Sequence, residues 1–198
     1  MATRKRADTM AENRARLIAA GRRAFAQKGF AAASMDELTG DVGLTRGALY
    51  HHFGDKAGLL AAVVSEVDAE MAARARAAAA GASTGWERLV AEGAAYIGMA
   101  LDPEIARIVL LDGPAVLGDP SGWPSQNACL ELTREAVAGL IAEGVLRSVD
   151  VEAAARLLNG AALNAALWVA ASDTPDADLP HAVEVFTHMA GGLLRKRP

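Results

Sequence analysis

The sequence predicts an all-α fold, and three observations carry that prediction. Apolar residues recur at helical spacing through most of the 198 residues, and no stretch alternates as a half-buried strand would. Helix-capping signals open one segment after another. Hydrophobic residues make up 52% and aromatics only 5%, so the apolar content is largely alanine and leucine, which suits close helix-on-helix packing.

Residues 1–9 are basic and unpatterned and read as a flexible arm. A helix follows to about Lys28, with Ile18, Gly21 and Phe25 at helical spacing and Leu17 beside them, and Gly29 ends it. Ser34-Met-Asp-Glu37 has the form of a capping box, opening a short helix that stops at Gly43. Thr45 caps the next helix, which turns Leu49 and Phe53 inward. After the break at Gly54-Asp55, a helix runs from Lys56 through Leu59, Leu60, Val63, Val64, Val67 and Met71 to about Ala80. Residues 81–85 form a linker, and Thr84-Gly-Trp-Glu87 is a second capping box whose helix reaches about Leu101. Asp102-Pro103-Glu104 starts a helix ending near Asp112. Three prolines and three glycines make 113–124 a loop. A helix is expected over 126–143, with Gly144 ending it. Asp150 caps a long apolar helix to Ala171, 172–178 is polar loop, and a last helix spans about 180–194 before a basic tail.

The formal charge of -4 counts weakly against nucleic acid, yet it hides an asymmetry. Residues 1–60 hold ten Lys and Arg against six Asp and Glu, while the remainder holds ten against eighteen. A basic end on an acidic body points to a polyanion as partner of the first part only. Cys129 is the single cysteine, which excludes an internal disulfide and argues against a cysteine-based zinc site. Residues 1–30 contain no uninterrupted apolar stretch of signal-peptide type, so a cytoplasmic protein is expected. The most membrane-like segment, 153–171, is interrupted by Arg156, Asn159 and Asn164. Each is costly in lipid, so the segment reads as a helix buried against protein and no membrane partner is expected.

Residues 34–53 read SMDELTGDVGLTRGALYHHF, two short helices joined by a tight turn through Gly43. The major groove of B-DNA admits one α-helix, whose N-terminal residues reach base edges. In the second helix Leu49 and Phe53 supply an apolar side for packing. Arg46, Tyr50 and His51 lie toward the other side, and Gly47 permits close approach.

With the flanking runs LIAAGRRAFAQKGF and GDKAGLL, this segment resembles the tetracycline-repressor (TetR-like) family over roughly residues 14–60. The order of Phe25, Gly29-Phe30, Gly43, Tyr50, Phe53, Lys56 and Leu59-Leu60 is more specific than a generic helix-turn-helix. The segment LDPEIARIVLLDGPAVLG is also similar to C-terminal halves in that family. The resemblance implies a homodimeric, ligand-released repressor of double-stranded operator DNA. Its three-helix DNA-binding domain would occupy 1–54, with the arm at 1–9 and the motif at 34–53. A ligand-binding and dimerisation domain of about six helices would occupy 55–198. Thr39 and Val42 stand where the family commonly has alanine, and Gly40 weakens the first motif helix by about 1 kcal/mol. Carried over by position, Ser34, Thr45, Tyr50, His52 and Lys56 contact phosphates, and Arg46 reads a base, bidentate to guanine. Gly47 and His51 lie close to base edges. Arg4, Lys5 and Arg6 enter the minor groove or neutralise phosphates nearby, with a solvated tail as the alternative.

In the C-terminal half, Trp86, Tyr96, Met99, Trp123, Asn127, Asn164 and Trp168 are candidate pocket residues, with ordinary core as the alternative for each. Rings supply area, and an amide in an apolar helix needs a partner that a ligand can provide. The helices over 86–101 and 150–171 have few charges along their middles, so an effector held between the helices carrying Tyr96, Asn127 and Trp168 is expected to be small, largely apolar and uncharged. Residues 113–124 are its expected lid, and the helix over 56–80 is the only rigid link to the recognition helices. The last two long helices, with Gly160-Ala161-Ala162 and Ala165-Ala166, are expected to pair in a four-helix bundle across a two-fold axis. Cys129 reads as an oxidant sensor or a small buried hydrophobe. His181, Glu184 and His188 share a helix face, but their spacing matches no zinc-protease motif. No metal, cofactor or catalytic residue is expected. Two rival readings stand beside this one. An all-α enzyme is supported by no nucleophile–base pair. A DNA-binding module governed by a protein partner would be favoured by a C-terminal half without a cavity.

Overall fold

The computed structural model describes residues 2–195, with side chains from residue 8 onward. Nine helices run through the described residues: α1 Ala2–Ala32, α2 Met35–Gly40, α3 Arg46–Phe53, α4 Lys56–Ala78, α5 Gly85–Gly98, α6 over 103–117, α7 Pro124–Ala142, α8 Val151–Ala170 and α9 Pro175–Gly191. An isolated antiparallel bridge joins Leu146 to Leu194. The backbone of α1 takes in residues the sequence reads as a flexible arm, because alanine, arginine and lysine are good helix formers and nothing there breaks the ladder. The side chains of Arg4, Lys5 and Arg6 lie outside the described residues.

The chain divides into two compact units. The first joins the chain up to Val67 with Pro103–Gly118, and the second joins Asp68–Asp102 with the chain from Asp119 onward. The first unit therefore holds more than the 1–54 segment the sequence marks out. Its fully buried side chains come from both pieces: Leu17, Phe25, Leu38, Leu49, Leu59 and Leu60 from one, Ile105 and Ile108 from the other.

Polar contacts fix the second piece to the first. Arg22 grips Glu104 with two parallel bonds, Nε to Oε1 at 2.9 Å and Nη2 to Oε2 at 2.8 Å, and its Nη1 lies 3.5 Å from Glu66. Such a fork is the strong form of a charge-assisted pair. At Gly29 the backbone turns left-handed (φ 77°), as the sequence predicts. The break leaves the next N–H without a helical partner, and Phe30 donates it to Asp112 Oδ2 at 2.7 Å.

Helix α6 corrects two expectations. Residues 113–117 are helical, not loop. A π-helical segment, Ala106–Asp112, separates the α-helical Pro103–Ile105 from Gly113–Leu117. The wider i→i+5 turns immediately precede Pro114 and accommodate a residue that cannot donate to an α ladder. The loop expected over 113–124 shrinks to 118–123, partly taken by the short turn Pro120–Gly122. Helix α9 starts at Pro175, five residues before the sequence expectation, and carries Pro180 inside it. Thr174 and Ser172 hydroxyls donate to Asp178, which organises the turn read as loop.

Of the two capping boxes, the one at Thr84 is complete: its Oγ1 accepts from Glu87 N–H while Glu87 accepts from Thr84 N–H. At Ser34 only the forward bond forms, because Glu37 bonds Lys28 Nζ at 2.8 Å instead. In the second unit, Val137, Leu140, Leu146, Ala154, Leu158 and Ala190 form a core against which Trp86, Leu89 and Val90 pack.

The entry to α4 is the tightest backbone approach in the first unit. Asp55 Oδ1 accepts the Gly58 N–H at 2.7 Å, and a Cβ at Gly58 would stand 1.9 Å from the Phe53 carbonyl oxygen. Gly58→Ala should destabilise the protein by about 1–3 kcal/mol or more, as overpacking does. Denaturant unfolding checks this; an unchanged midpoint would contradict the close approach.

Candidate nucleic-acid interface and effector cavity

Helix α3 is held from below and capped from the front. Leu49 is fully buried beneath α3, and Leu38 and Thr39 are buried beneath α2. Thr39, which departs from the family's alanine, donates its hydroxyl to the Met35 carbonyl at 2.9 Å, so its polar atom is satisfied inside the unit. Arg16 Nη2 donates to the Val42 carbonyl at 2.5 Å and ties α1 to the turn between the motif helices. Thr45 Oγ1 accepts the Ala48 N–H at 3.2 Å and caps α3.

The face left open carries Thr45, Arg46, Gly47, Tyr50 and His51, all exposed, with Ser34 exposed at the start of α2. His52 is half-buried, its ring between those of His51 and Phe53 at 5.6 and 6.0 Å. Arg46 is paired. Its Nε bonds Asp36 Oδ1 at 2.5 Å and its Nη2 bonds Asp36 Oδ2. Lys56 is placed otherwise than as a free phosphate contact. Its Nζ donates to the Phe30 and Ala33 carbonyls at 2.7 and 2.9 Å and sits 4.3 Å from the Phe30 ring centroid. Two of its three donors therefore hold the start of α4 to the connection between α1 and α2.

The second unit contains a cavity of about 100 Å³, mostly apolar, among α4, α5, α7, α8 and α9. Ala72, Leu89, Val90, Leu158, Ala162 and Phe186 give it greasy walls. Of the seven sequence candidates, Tyr96 lines it. Met99 and Trp123 are buried off its wall, and Trp86 packs on the core. Asn127, Asn164 and Trp168 are exposed to solvent, a correction to their expected place in the pocket. The misreading is one of helix face. Gln126, next to Asn127, and Asn159, one turn and a half before Asn164, line the wall instead.

The polar side of the cavity holds two hydrogen-bonded groups. Gln126 Nε2 bonds both Asp68 oxygens at 3.2 and 3.1 Å and the Tyr96 hydroxyl at 3.3 Å. Asp68 is buried, and that burial pushes its carboxyl above the ordinary value against the opposing bonds from Ser125 and Gln126. Burial, with Asp68 nearby, also pushes up the Tyr96 phenol and the Cys129 thiol, so Cys129 resists forming the reactive thiolate. Thr133 donates to Asn159 Oδ1 at 2.8 Å. Polar side chains spaced through apolar helices are the sequence signal for this site. Asn159 shows it plainly, and its place in a hydrophobic run was visible without its role.

Comparison with known proteins decides the family. The model of bacterial regulatory proteins of the tetR family matches residues 17–63, and the tetracyclin repressor-like C-terminal domain matches residues 86–193, more than half of the chain. The chain belongs to the TetR family. A TetR-family transcriptional regulator from Pectobacterium atrosepticum is 45% identical, with a TM-score of 0.87 over 96% of this chain and 98% of that one. The Transposon Tn10 TetC protein of Escherichia coli is 28% identical over 156 residues, 73% of each protein. The HTH-type transcriptional repressor AcnR of Corynebacterium glutamicum is 38% identical over 65 residues, 33% of this chain and 35% of its own length. This TetR-family chain is thus a DNA-binding transcriptional regulator, in a family whose members bind operator DNA and form dimers. No helix among the described residues is long and apolar enough to cross a membrane.

Two predictions follow from the placements of Lys56 and Asp68. Lys56→Ala leaves two carbonyls short of a donor and should cost about 1–3 kcal/mol of stability. Thermal unfolding followed by circular dichroism measures it, and a melting point equal to the parent's would show the ammonium is idle. Asp68 binds its proton more tightly when folded. Its contribution to stability is therefore fullest below the ordinary carboxylate value of 3.8 and declines as pH rises through the raised value. Asp68→Asn should flatten that decline and raise the melting point at pH 7 by roughly 2–4 °C. A variant less stable than the parent at pH 7 would mean the ionised carboxylate is a net gain.

Proposed function

We propose that this regulator is a homodimeric repressor whose operator is released when a small, largely apolar effector fills the cavity of the second unit. The observation that carries the reading is a single helix. α4 puts Ala72, Ala75 and Arg76 on the cavity wall, while its first turns carry Lys56, Leu59 and Leu60 into the unit that holds the helix-turn-helix. A ligand that moves the cavity end of α4 moves its other end too. The chain also enters and leaves the first unit through Pro103–Gly118, so α4 is joined by a second covalent route, where the sequence suggested one.

Binding shifts the equilibrium only by its differential affinity for the two spacings of the recognition helices. The DNA face is the exposed set Ser34, Thr45, Arg46, Gly47, Tyr50 and His51, with Arg46 reading a base. The presence of a cavity favours small-molecule control over control by a protein partner. The dimer forms through α8 and α9, whose outer faces leave Leu157 74%, Trp168 50%, Val185 56% and Met189 63% exposed. On α8, Leu157 and Trp168 fall at helical spacing with Gly160 and Asn164, and on α9 Val185 and Met189 stand one turn apart, faces too apolar to leave in water. As a regulator that works on DNA, the protein acts in the cytoplasm.

Sedimentation should show a dimer at micromolar concentration, and Leu157→Glu should shift it toward monomer; a parent that sediments only as monomer defeats the dimer. Once operator fragments have been selected from genomic DNA, Arg46→Ala should weaken operator binding by about 1–3 kcal/mol and relax one base position per half-site. Equal loss on operator and random DNA would reduce Arg46 to a phosphate contact. Ala162→Phe fills the cavity. It should leave operator affinity intact and abolish release by any compound that releases the parent. Continued release by that compound would place the effector elsewhere.

A further inference from the structure

We infer that Asp36 is a specificity-determining residue of the DNA reader: it presets the guanidinium of Arg46 for a guanine. The inference rests on the reading of Arg46 as a base contact, and it goes beyond it by assigning a role to an acid on the face that meets a polyanion.

Asp36 stands in the first turn of α2, where a carboxylate is favoured by the helix dipole, and its side chain is 70% exposed. It takes the side-on edge of Arg46, Nε to Oδ1 and Nη2 to Oδ2. The contact holds the Asp36 carboxyl below its ordinary value. A guanidinium is planar, so fixing one edge fixes the whole plane. The edge left open presents Nη1 and the second proton of Nη2 as two parallel donors. That pair matches O6 and N7 of guanine in the major groove. Adenine offers a donor where guanine offers O6, so the preset fork rejects it. Without the carboxylate, Arg46 is a flexible cation on the first residue of α3, free to turn to the nearest phosphate. The same carboxylate repels the DNA backbone, so it lowers affinity for all sequences while raising discrimination among them. A residue that merely propped the motif would move both in the same direction.

The test uses the full-length chain and the operator duplex obtained by selection, with the half-site guanine replaced in turn by each other base. Fluorescence anisotropy gives affinities for these duplexes and for random DNA. Asp36→Ala should cut the preference for guanine at one position by at least about fivefold while binding random DNA as well as the parent or better. Asp36→Glu should restore part of the preference. In an Arg46→Ala background, Asp36→Ala should change nothing further at that position. The inference is overturned if Asp36→Ala keeps the parent's preference, if it weakens operator and random DNA alike, or if it still alters preference without Arg46. Should Arg46→Ala itself leave every base preference intact, the reading of Arg46 fails first. Should Arg46→Ala lose the preference while Asp36→Ala retains it, this inference alone fails.

Discussion

The break at Gly29 is the constraint around which the first unit is arranged. A left-handed residue near the end of α1 lets the chain turn toward the motif helices, but it strands the Phe30 N–H in a half-buried place. An unmet donor there would cost about 1–3 kcal/mol. Asp112 meets it from a segment more than 80 residues away, and Glu104 on the same segment holds Arg22 two turns earlier on α1. Lys56 then closes the connection from the other side through the Phe30 and Ala33 carbonyls. Three side chains from α4 and α6 thus fix the short piece of backbone from which α2 departs. The placement of α2, and of α3 after it, depends on all of them.

Much of this was legible in the sequence, because helices and caps are written locally. Ser34, Thr45, Thr84 and Asp150 each cap the helix they were expected to cap, and the Gly29 break falls where expected. What was not legible depends on partners distant in the chain. Glu37 answers Lys28 instead of its own cap, and Lys56 answers two carbonyls. No local pattern shows either. Proline and glycine content suggested a loop at 113–117, but an α-helical turn continues there after the π segment 106–112.

The cavity of the second unit shows the same limit more sharply. Choosing rings and amides by type found Tyr96 but put Asn127, Asn164 and Trp168 on the wrong side of their helices. In α8 both faces are apolar, so periodicity does not tell a cavity wall from a surface awaiting a second copy. Burial resolves it: Leu158 and Ala162 face the interior, while Leu157 and Trp168 face out. Two hydrophobic faces on one helix, one buried and one exposed, are what the proposed pairing through α8 would use.

The first unit is built from two stretches of chain that are not consecutive. Its portability is limited by that fact. A chimaera joined just after the motif, or after Val67, would carry Arg22 and Gly29 without Glu104 and Asp112. Its α1 would meet whatever a foreign α6 happens to offer. Recombination that exchanges DNA specificity among relatives is therefore constrained to move two segments together. Exchange of a few exposed residues on α2 and α3, the proposed DNA face, leaves the Arg22–Glu104 and Phe30–Asp112 contacts in place and is the easier evolutionary path to a new operator.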